Sequence, residues 1–259
     1  MVEGSARDRI TQHLIAEGAI VVVLVVWWAA SRNLPVYVLP PPQMVAQSML
    51  RFIADSGVAH HALVSFARVI MSVIVAMALA LAIAAAVRAA PILDEVVERR
   101  ILTFLNSFPS VGWAILGVIW FQISTPTVLF IQIAIILPFC IINALAGFRQ
   151  IDRDLDELGL SLTRSPFRLF FKLTLPLIAP FLMAGVRVAY GICWKIALVS
   201  ELFGASSGLG YLLMRAQSTS DAAMVFACCF VIVLIYTASD HFILKPLAAR
   251  FSVNQGQTA

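Results

Sequence analysis

The chain has 259 residues, of which 61% are hydrophobic and only 12% are charged, whereas soluble domains are roughly half apolar and a quarter charged. This balance predicts an integral membrane protein, and the small net charge of +4 gives no indication of nucleic-acid binding. The four cysteines lie in apolar runs without the spacing of metal ligands, so buried thiols are expected, and a disulfide framework or zinc site is not.

Six apolar runs are long enough to cross the roughly 30 Å of hydrocarbon in a bilayer, which takes about 20 helical residues. In chain order they cover about residues 13–31, 62–87, 101–121, 126–147, 177–200 and 222–244. The first run is interpreted as a retained helix and not as a cleaved signal, because Glu17 precedes its apolar core at 18–31 and the apolar pattern already starts at Ile10.

Two prolines interrupt these runs, Pro109 in the third and Pro138 in the fourth. Breaks of this kind are tolerated inside a helix bundle and often line a transport pathway. We find no internal repeat and no second soluble region. The sequence therefore predicts an all-α polytopic membrane protein whose single transmembrane domain covers residues 1–259.

Shorter patterns predict an interfacial helix and a close helix contact. Residues 39–57 begin with prolines and then place Val45, Met49, Phe52 and Ile53 on one helical face, as in an amphipathic helix at a membrane surface. In the second run small residues recur every four positions, which favours close packing of another helix. The recurring residues are Ala76, Ala80 and Ala84, with Ala78, Ala82 and Ala86 beside them.

The basic residues fall mainly on one side of the predicted spans. That side holds 12 of the 18 Lys and Arg residues, namely Arg7, Arg9, Arg88, Arg99, Arg100, Arg149, Arg153, Arg164, Arg168, Lys172, Lys245 and Arg250. The opposite loops carry only Arg32, Arg51 and Arg215. Because basic loops are retained in the cytoplasm, this pattern predicts that both termini are cytoplasmic.

A short amphipathic segment lies in the middle of this apolar chain. Within residues 151–162, Ile151, Leu155, Leu158 and Leu162 form one apolar helical stripe, and acidic and basic residues occupy the other positions. Twelve helical residues cover about 18 Å, which is too short to cross a bilayer. The segment is therefore predicted to lie outside the membrane.

A second short helix is predicted to begin at Pro166, which needs no backbone donor at the first helical position, with Ser165 as its cap. Pro176 is predicted to turn the chain into the fifth run. The apolar face of this second helix carries Phe167, Phe170, Phe171 and Thr174. Two short helices joined by a tight turn would form a compact cytoplasmic knob, and the alternative is that they merely lie on the lipid surface.

Charged residues within the runs have two interpretations each. Lys195 either attracts an anionic substrate or, the favoured interpretation, is neutralised by an acidic residue or by helix-end carbonyls. Arg68 and Arg187 are expected to position helices or to lie at an interface. Glu201 begins the glycine-rich external segment ELFGASSGLGY, whose glycines permit tight turns or close backbone approach, as in a re-entrant or packing loop.

The histidines carry little functional signal. His60 and His61 form an external pair without a nearby acidic cluster, so no metal site is expected there. Asp240 and His241 lie beside Lys245 at the end of the sixth run, and a solvated helix end is the expected explanation.

The segment around residue 157 resembles the cytoplasmic loop that defines permease subunits of bacterial ABC importers, with an E-A-A pattern, three residues, a glycine and a closing L-P. Glu157 takes the glutamate position and Pro176 the closing proline. Leu158 and Gly159 stand at the alanine positions, and Thr163 stands at the glycine position. Further stretches, from about residue 39 onward, are similar to permeases of sulfonate, taurine and nitrate importers, namely LPPPQMVAQSM, SFARV, NSFPSVGW, IWF, LPLIAPFLMAGVRVAYG and SELFGASSGLGYLL.

The resemblance implies a type I importer permease of about six transmembrane helices, with an N-terminal helix at 13–31, core helices at about 62–244 and a cytoplasmic coupling loop at 148–176. It implies a homodimer in the bacterial inner (cytoplasmic) membrane that works with two ATPase subunits. A periplasmic or lipid-anchored binding protein would deliver a small anionic solute to this path.

The resemblance also implies that this chain is not an enzyme and has no catalytic residue, cofactor or metal of its own. ATP and Mg²⁺ are expected on the partner ATPase, because the sequence contains no glycine-rich phosphate loop. Besides these partners the chain would contact membrane lipids, and no nucleic acid is expected.

The resemblance assigns two sets of functional residues. The ATPase-coupling set consists of Leu155, Glu157, Leu158, Gly159, Leu162, Thr163, Ser165, Pro166, Phe167, Phe170, Phe171 and Pro176. The set expected to line the translocation path or gate consists of Pro109, Trp113, Trp194, Lys195, Glu201, Gly208 and Gly210.

Two other classes of membrane protein compete with this interpretation. A secondary transporter or channel driven by an ion gradient would more often show paired halves or intramembrane carboxylates, and the predicted spans are poor in acids. A membrane-embedded enzyme would need convergent His, Asp or Cys groups at the membrane face, and the sequence offers no such set. The two-helix segment favours the ATP-driven importer.

Overall fold

The computed structural model describes residues 6–163 and 165–252, and all regular elements in these ranges are helical. The predicted cytoplasmic residue Arg164 lies outside the described residues. The α-helices are α1 (Ala6–Ser31), α2 (Pro42–Ala54), α3 (Ser56–Ala89), α4 (Ile92–Val96), α5 (Thr103–Ser107), α6 (Ser110–Phe121), α7 (Thr125–Arg149), α8 (Arg153–Leu162), α9 (Pro166–Leu169), α10 (Leu175–Gly204), α11 (Leu209–Ser218), α12 (Ala222–Ser239) and α13 (Lys245–Ser252). Three π-helical segments join neighbouring helices, at Val97–Leu102, Phe170–Thr174 and Asp240–Leu244.

Among the described residues, four helical stretches are long and apolar enough to cross a bilayer. They are Ser56–Ala89, Thr125–Arg149, Phe167–Gly204 and Ala222–Arg250, which confirms four of the six predicted runs as helices of spanning length. The first predicted run lies within α1, whose apolar stretch Gly18–Ser31 is shorter than a full crossing among the described residues. The third run differs from a continuous span.

The third run is a broken helix. Ile92–Ser107 and Ser110–Phe121 meet at an angle of 86°, so they form either one broken span or a re-entrant loop. Pro109 causes the break, because a proline disfavours helical backbone in the residue before it. Phe108 is accordingly extended, with φ −75° and ψ 127°. Pro138 lies inside the uninterrupted α7, so the two prolines that the sequence treats alike have different effects.

Aromatic packing fixes the angle at which α6 leaves this break. The rings of Phe108 and Trp113 lie 4.5 Å apart, and these residues stand just before the cap and in the first turn of α6. Such a contact across a helix start orients the incoming chain. Gly112 allows the ring of Phe108 to approach, because a Cβ atom at residue 112 would lie 2.6 Å from that ring. The bend is therefore a packed feature of the fold.

The chain divides into two compact units. One comprises Met1–Ala59 and Leu212–Val231, and the other comprises His60–Tyr211 and Ile232–Ala259. In the first unit α1 packs on α2, and Trp27 donates a 3.0 Å hydrogen bond to the carbonyl oxygen of Pro40. The single domain predicted for residues 1–259 stays a prediction.

The amphipathic helix predicted between the first two runs is present as α2, and its place at the membrane surface stays a prediction. Val45 and Phe52 are buried, and Met49 is half-buried on the same side. Ile53 remains 85% exposed, so the packed stripe is narrower than the apolar pattern of the sequence.

In the second unit α7 packs extensively against α10. Glycines allow the close approach: a Cβ atom on Gly147 would lie 3.0 Å from the Cβ atom of Phe181, and one on Gly185 would lie 2.9 Å from the Cβ atom of Asn143. Small residues at helix contacts are the usual means of close packing in membranes. Half of the predicted alanine surface of α3 is packed: Ala76, Ala80 and Ala84 are each 0% exposed, whereas Ala78, Ala82 and Ala86 are exposed.

Candidate functional site

The coupling loop, residues 148–176, contains the two short helices that the sequence predicts. Asp152 caps α8 by accepting a 3.3 Å hydrogen bond from the backbone N–H of Asp154. Ser165 caps α9 by accepting a 3.4 Å hydrogen bond from the backbone N–H of Arg168. Both caps satisfy donors that a helix start leaves free, so local sequence sets where each helix begins.

The turn between the two helices uses extended backbone. Thr163 has φ −154° and ψ 135°, a conformation that suits a β-branched residue. Its side-chain oxygen also accepts a 3.2 Å hydrogen bond from the backbone N–H of Ser165. This chain therefore closes the turn with a threonine, where the resembling loops usually have a glycine.

Gly159 brings the two helices of the loop together. It is buried, and a Cβ atom on it would overlap the side chain of Leu169 and lie 2.7 Å from Leu173. The absence of a side chain thus lets α8 lie directly on the helix that starts at Pro166. The loop is a packed unit in which the two helices are held against each other.

The prediction that Pro176 turns the chain is wrong. The helix that begins in the coupling loop continues from Phe167 to Gly204 over 38 residues, through the π-helical segment Phe170–Thr174. A proline removes one backbone donor and crowds the carbonyl one turn earlier. The wider π-helical turn just before Pro176 relieves this crowding, because its hydrogen bonds reach one residue further.

Apolar side chains of the loop face outward. Phe167 is 71% exposed, Phe171 is 50% exposed and Leu155 is 36% exposed. The rings of Phe167 and Phe171 lie 4.5 Å apart, and the half-buried Phe170 lies 5.2 Å from Phe171. Exposed aromatic clusters of this kind mark surfaces that bind another molecule.

Charged side chains surround this apolar patch. Glu157, Arg168 and Lys172 are exposed. An apolar centre with a charged rim is the usual composition of a protein–protein interface.

Of the other predicted coupling residues, Pro176 is exposed on the helix, and the side chains of Leu158, Leu162 and Pro166 lie outside the described part of the chain. The coupling role of the whole set stays a prediction.

The seven residues predicted to line the path do not form one group. Trp113 and Trp194 are buried, at 8% and 3% exposure, whereas Pro109 and Lys195 are exposed. The remaining residues are buried in a polar cluster, and these are Glu201, Gly208 and Gly210. The role of the set in transport stays a prediction.

The polar cluster centres on a buried ion pair that the sequence analysis missed. Arg68 Nη1 lies 3.2 Å from Glu201 Oε1, and the two side chains are 6% and 0% exposed. Ser65 donates from its hydroxyl to both carboxylate oxygens of Glu201, at 2.8 and 2.7 Å. The backbone N–H of Gly210 donates to Glu201 Oε2 at 3.0 Å. We call Ser65, Arg68, Glu201, the loop 205–208 and Gly210 at the start of α11 the Arg68–Glu201 cluster.

Arg68 also ties the cluster to two further elements. It donates to the carbonyl oxygen of Ser207 at 2.6 Å and to the hydroxyl of Thr125 at 2.9 Å. Because Ser207 lies in the loop and Thr125 begins α7, one guanidinium joins α3, α7, α10 and that loop. The expectation that Arg68 positions helices agrees with this geometry.

Glu201 and the glycines after it belong to a packed structure. Glu201 lies in the last turn of α10, which ends at Gly204, so the external segment is shorter than predicted. The backbone N–H of Gly208 donates to His61 Nδ1 at 3.0 Å, and the ring of His61 lies 5.7 Å from that of Tyr211. The available signal was a cation inside one apolar run, Arg68, and an anion directly after another, Glu201, because neither charge can be buried without a partner.

Gly208 is essential to this packing and leads to a prediction. It has φ +113°, a region that only glycine adopts readily, and a Cβ atom on it would overlap the carboxylate of Glu201. We expect Gly208→Ala to lower the free energy of unfolding by about 1–3 kcal/mol, the range for a strained backbone. Equilibrium unfolding in detergent micelles measures this change.

Gly18→Ala is the matched control for Gly208→Ala, because a Cβ atom on Gly18 meets nothing within 4 Å. We expect its unfolding curve to match that of the unmodified chain or to shift slightly toward higher stability. Equal stability of both variants would contradict the packing role of Gly208.

A second polar contact joins the same three helices within the membrane-spanning region. Ser72 donates to Gln132 Oε1 at 2.7 Å, and Gln132 Nε2 donates to the hydroxyl of Ser200 at 3.2 Å. All three side chains are 0% exposed. The side-chain amide of Gln132 on α7 therefore has one partner on α3 and one on α10. These hydrogen bonds specify how the three helices are aligned with one another.

Asp240 is more than a solvated helix end, so that expectation is wrong. Its side chain is 17% exposed and lies 3.4 Å from Arg187 and 3.6 Å from Lys245. The π-helical segment that begins at Asp240 places this carboxylate between two cations.

No group of three or more His, Cys, Asp or Glu side chains that could hold a metal occurs in the described part of the chain.

Comparison with known proteins agrees with these features. Residues 78–244 match the family described as the binding-protein-dependent transport system inner membrane component. The taurine transport system permease protein of Escherichia coli strain K12 is 28% identical over 86% of this chain and 84% of its own length. An aliphatic sulfonates transport permease protein of the same strain is 31% identical over 84% of this chain and 83% of its own length.

A more distant relative has a different named solute. The nitrate import permease protein of Synechococcus elongatus is 21% identical over 86% of this chain and 84% of its own length. The family match covers most of the chain: it includes the coupling loop, all of Thr125–Arg149 and Phe167–Gly204, and parts of the other two stretches of spanning length. This multi-pass membrane protein therefore belongs to the inner-membrane components of binding-protein-dependent transport systems, the permeases of ABC importers.

Proposed function

We propose that this chain forms the translocation path of an ATP-driven importer for a small anionic solute, and that a separate ATPase moves its helices. The exposed aromatic patch on the packed coupling loop is the observation that carries this proposal. An ion-driven transporter has no need for such a patch on a loop outside the predicted spans. A binding protein would deliver the solute on the opposite side.

The patch has the chemistry of a docking surface for the ATPase. Phe167 and Phe171 offer two adjacent, mutually tilted rings that a partner's groove could cover, and Leu155 extends the apolar area. Aromatic anchors that become fully desolvated commonly dominate binding energy. The charged residues around the rings would set the orientation of the partner more than its affinity.

The continuous helix gives the docked ATPase a mechanical connection to the path. One helix extends from Phe167 to Gly204, and 38 residues cover about 57 Å. A displacement of its exposed end would therefore tilt the part that crosses the membrane. Gly159 holds α8 against the same helix, so both short helices would move together. Rigid-body movement around a fixed site is an established way to alternate access.

The solute class rests on the names of relatives. The permeases for taurine, aliphatic sulfonates and nitrate transport carry solutes with a sulfonate or nitrate group. A small anion is therefore the best-supported cargo class for this chain. We further propose a homodimer with two ATPase subunits, which bind ATP and Mg²⁺, in the bacterial inner membrane. Both termini would face the cytoplasm, as the distribution of basic residues suggests.

The predicted path set remains part of the proposal, with different roles for its members. Lys195 and Pro109 are exposed and could contact a solute directly. Trp113 and Trp194 are packed in the bundle and would shape the path. Glu201 and its glycine contacts would hold the helix ends in place.

Purification of the chain with its ATPase and binding protein tests the proposed function. The complex is placed in proteoliposomes, and uptake of radiolabelled taurine and nitrate is measured with ATP alone and with an ion gradient alone. We expect uptake of at least one of the two solutes only with ATP and the binding protein. Uptake by the permease alone, driven by the ion gradient, would favour the secondary-transporter alternative.

A further inference from the structure

Lys195 is a charged residue on an otherwise apolar exposed stripe of α10. Ala184, Val188, Lys195 and Val199 are all exposed and lie within about 60° of one another on an ideal helix. The opposite side of the helix is packed, with Cys193 at 0% exposure. Lys195 thus points away from the packed interior of its own unit.

The ammonium group lies far from both ends of the helix. Gly204 follows nine residues later, about 14 Å along the axis, and Phe167 precedes by 28 residues, about 42 Å. Because the hydrocarbon layer is about 30 Å thick, Lys195 falls near the middle of the bilayer if Gly204 lies at its surface. A cation at that depth is costly unless it faces water or an opposite charge.

No carboxylate of the described residues neutralises Lys195. The described carboxylates on the membrane-crossing elements have other partners: Glu201 pairs with Arg68, and Asp240 pairs with Arg187 and Lys245. On the broken helix Asp94 and Glu98 pair with Arg149. A second copy of the chain would bring the same engaged carboxylates. The favoured expectation of an acidic residue or helix-end carbonyls thus has no support: no described carboxylate is available to Lys195, and α10 ends nine residues later, at Gly204.

The surroundings of α10 favour a path over lipid. Ile196, the next residue in the chain, packs against the cluster formed by Trp113, Ala114, Ile131 and Ala134 beside the broken helix. Broken helices are found in membranes where they line a cavity or are covered by protein. The exposed stripe with Lys195 is therefore adjacent to the element best suited to line a water-filled space.

We propose that Lys195 is the anion-selecting group of the translocation path. This inference rests on the proposed function and specifies which residue admits the solute. In a two-fold symmetric dimer the residue occurs twice. Two facing ammonium groups in a poorly solvated path repel each other, and an entering anion removes that repulsion. Small monovalent anions and sulfonates are the solutes that fit this site.

The test measures the electrostatic potential beside Lys195 in the complete importer. Val199→Cys places a thiol one turn away on the same exposed stripe, and Cys229→Ser removes the exposed native thiol. The thiol is treated with sulfonatoethyl methanethiosulfonate, an anion, and with the trimethylammonium analogue, a cation. The ratio of the two reaction rates reports the local charge.

We expect the anionic reagent to react faster when Lys195 is present, and Lys195→Met to lower the rate ratio about tenfold. Lys195→Arg keeps the charge and should keep the ratio. A ratio that is the same with lysine, arginine and methionine would overturn the inference, as would a thiol at position 199 that reacts with neither reagent, because the stripe would then face lipid or protein.

This result can be separated from a failure of the proposed function. ATP-dependent uptake by the Cys229→Ser importer tests the latter without involving Lys195. If that uptake is absent but the rate ratio depends on Lys195, the path is charge-selective and the driving mechanism is different. If uptake is present and the ratio does not depend on Lys195, the importer assignment stands and the inference about Lys195 fails.

Discussion

Arg68→Ala is expected to destabilise the protein more than any other single substitution considered for this chain. Glu201 is 0% exposed, and without the guanidinium its carboxylate would be a buried charge with only neutral donors. Breaking a buried ion pair by removing one partner costs about 3–5 kcal/mol. The substitution also frees Ser207 and Thr125 from their hydrogen bonds to Arg68. Equilibrium unfolding in detergent micelles measures the loss.

Arg187→Ala is the matched control for Arg68→Ala. Its ion pair with Asp240 has a length of 3.4 Å, but the arginine side chain is 44% exposed, so a loss of about 1 kcal/mol or less is expected. A double variant, Arg68→Met with Glu201→Gln, should be more stable than Arg68→Ala, because it leaves no unpaired buried charge. If Arg68→Ala and Arg187→Ala lowered the free energy of unfolding by the same small amount, the ion pair between Arg68 and Glu201 would not be what stabilises the cluster.

Phe167→Ala is expected to have the largest effect on transport. Phe167 is 71% exposed in the coupling loop, so its removal leaves no cavity within the chain. An aromatic anchor at an interface contributes about 2 kcal/mol or more, which corresponds to roughly thirtyfold weaker binding. We expect ATPase subunits to bind the variant that much more weakly and ATP-driven uptake to fall accordingly. Binding is measured by titrating ATPase onto permease in nanodiscs.

Phe242→Ala controls for the loss of an exposed ring outside the loop. Phe242 is 74% exposed in the π-helical segment Asp240–Leu244, and its truncation should change neither ATPase binding nor uptake. Glu157→Ala removes a charge at the rim of the patch and should weaken binding only severalfold. Normal binding and uptake by both Phe167→Ala and Phe171→Ala would rule out this surface as the ATPase site.

The coupling loop was readable from sequence because its signals are local. Asp152 and Ser165 cap helices through contacts two or three residues away, and the stripe that includes Leu155 needs only helical periodicity. The family assignment came from the same segment, and the family match confirms it. The apolar runs likewise gave most of the spans, since a bilayer sets the length of a crossing helix.

The tertiary structure decided what each proline does. Pro109 ends one helix and Phe108 packs on the next, Pro138 stays within α7, and Pro176 is absorbed by a π-helical turn. A sequence shows only that each proline removes a donor and crowds the preceding turn. Whether the helix then bends or accommodates the proline in a wider turn depends on the side chains that pack around that residue.

The sequence by itself determined a helical membrane protein with a two-helix loop suited to an importer permease, because hydropathy and capping act over a few residues. It did not determine that Arg68 pairs with Glu201, which lies 133 positions away, or that Lys195 has no partner among the described residues. Which charges meet depends on the rotation and register of packed helices. Those are fixed by many weak contacts between residues distant in the chain, and only the folded bundle brings them together.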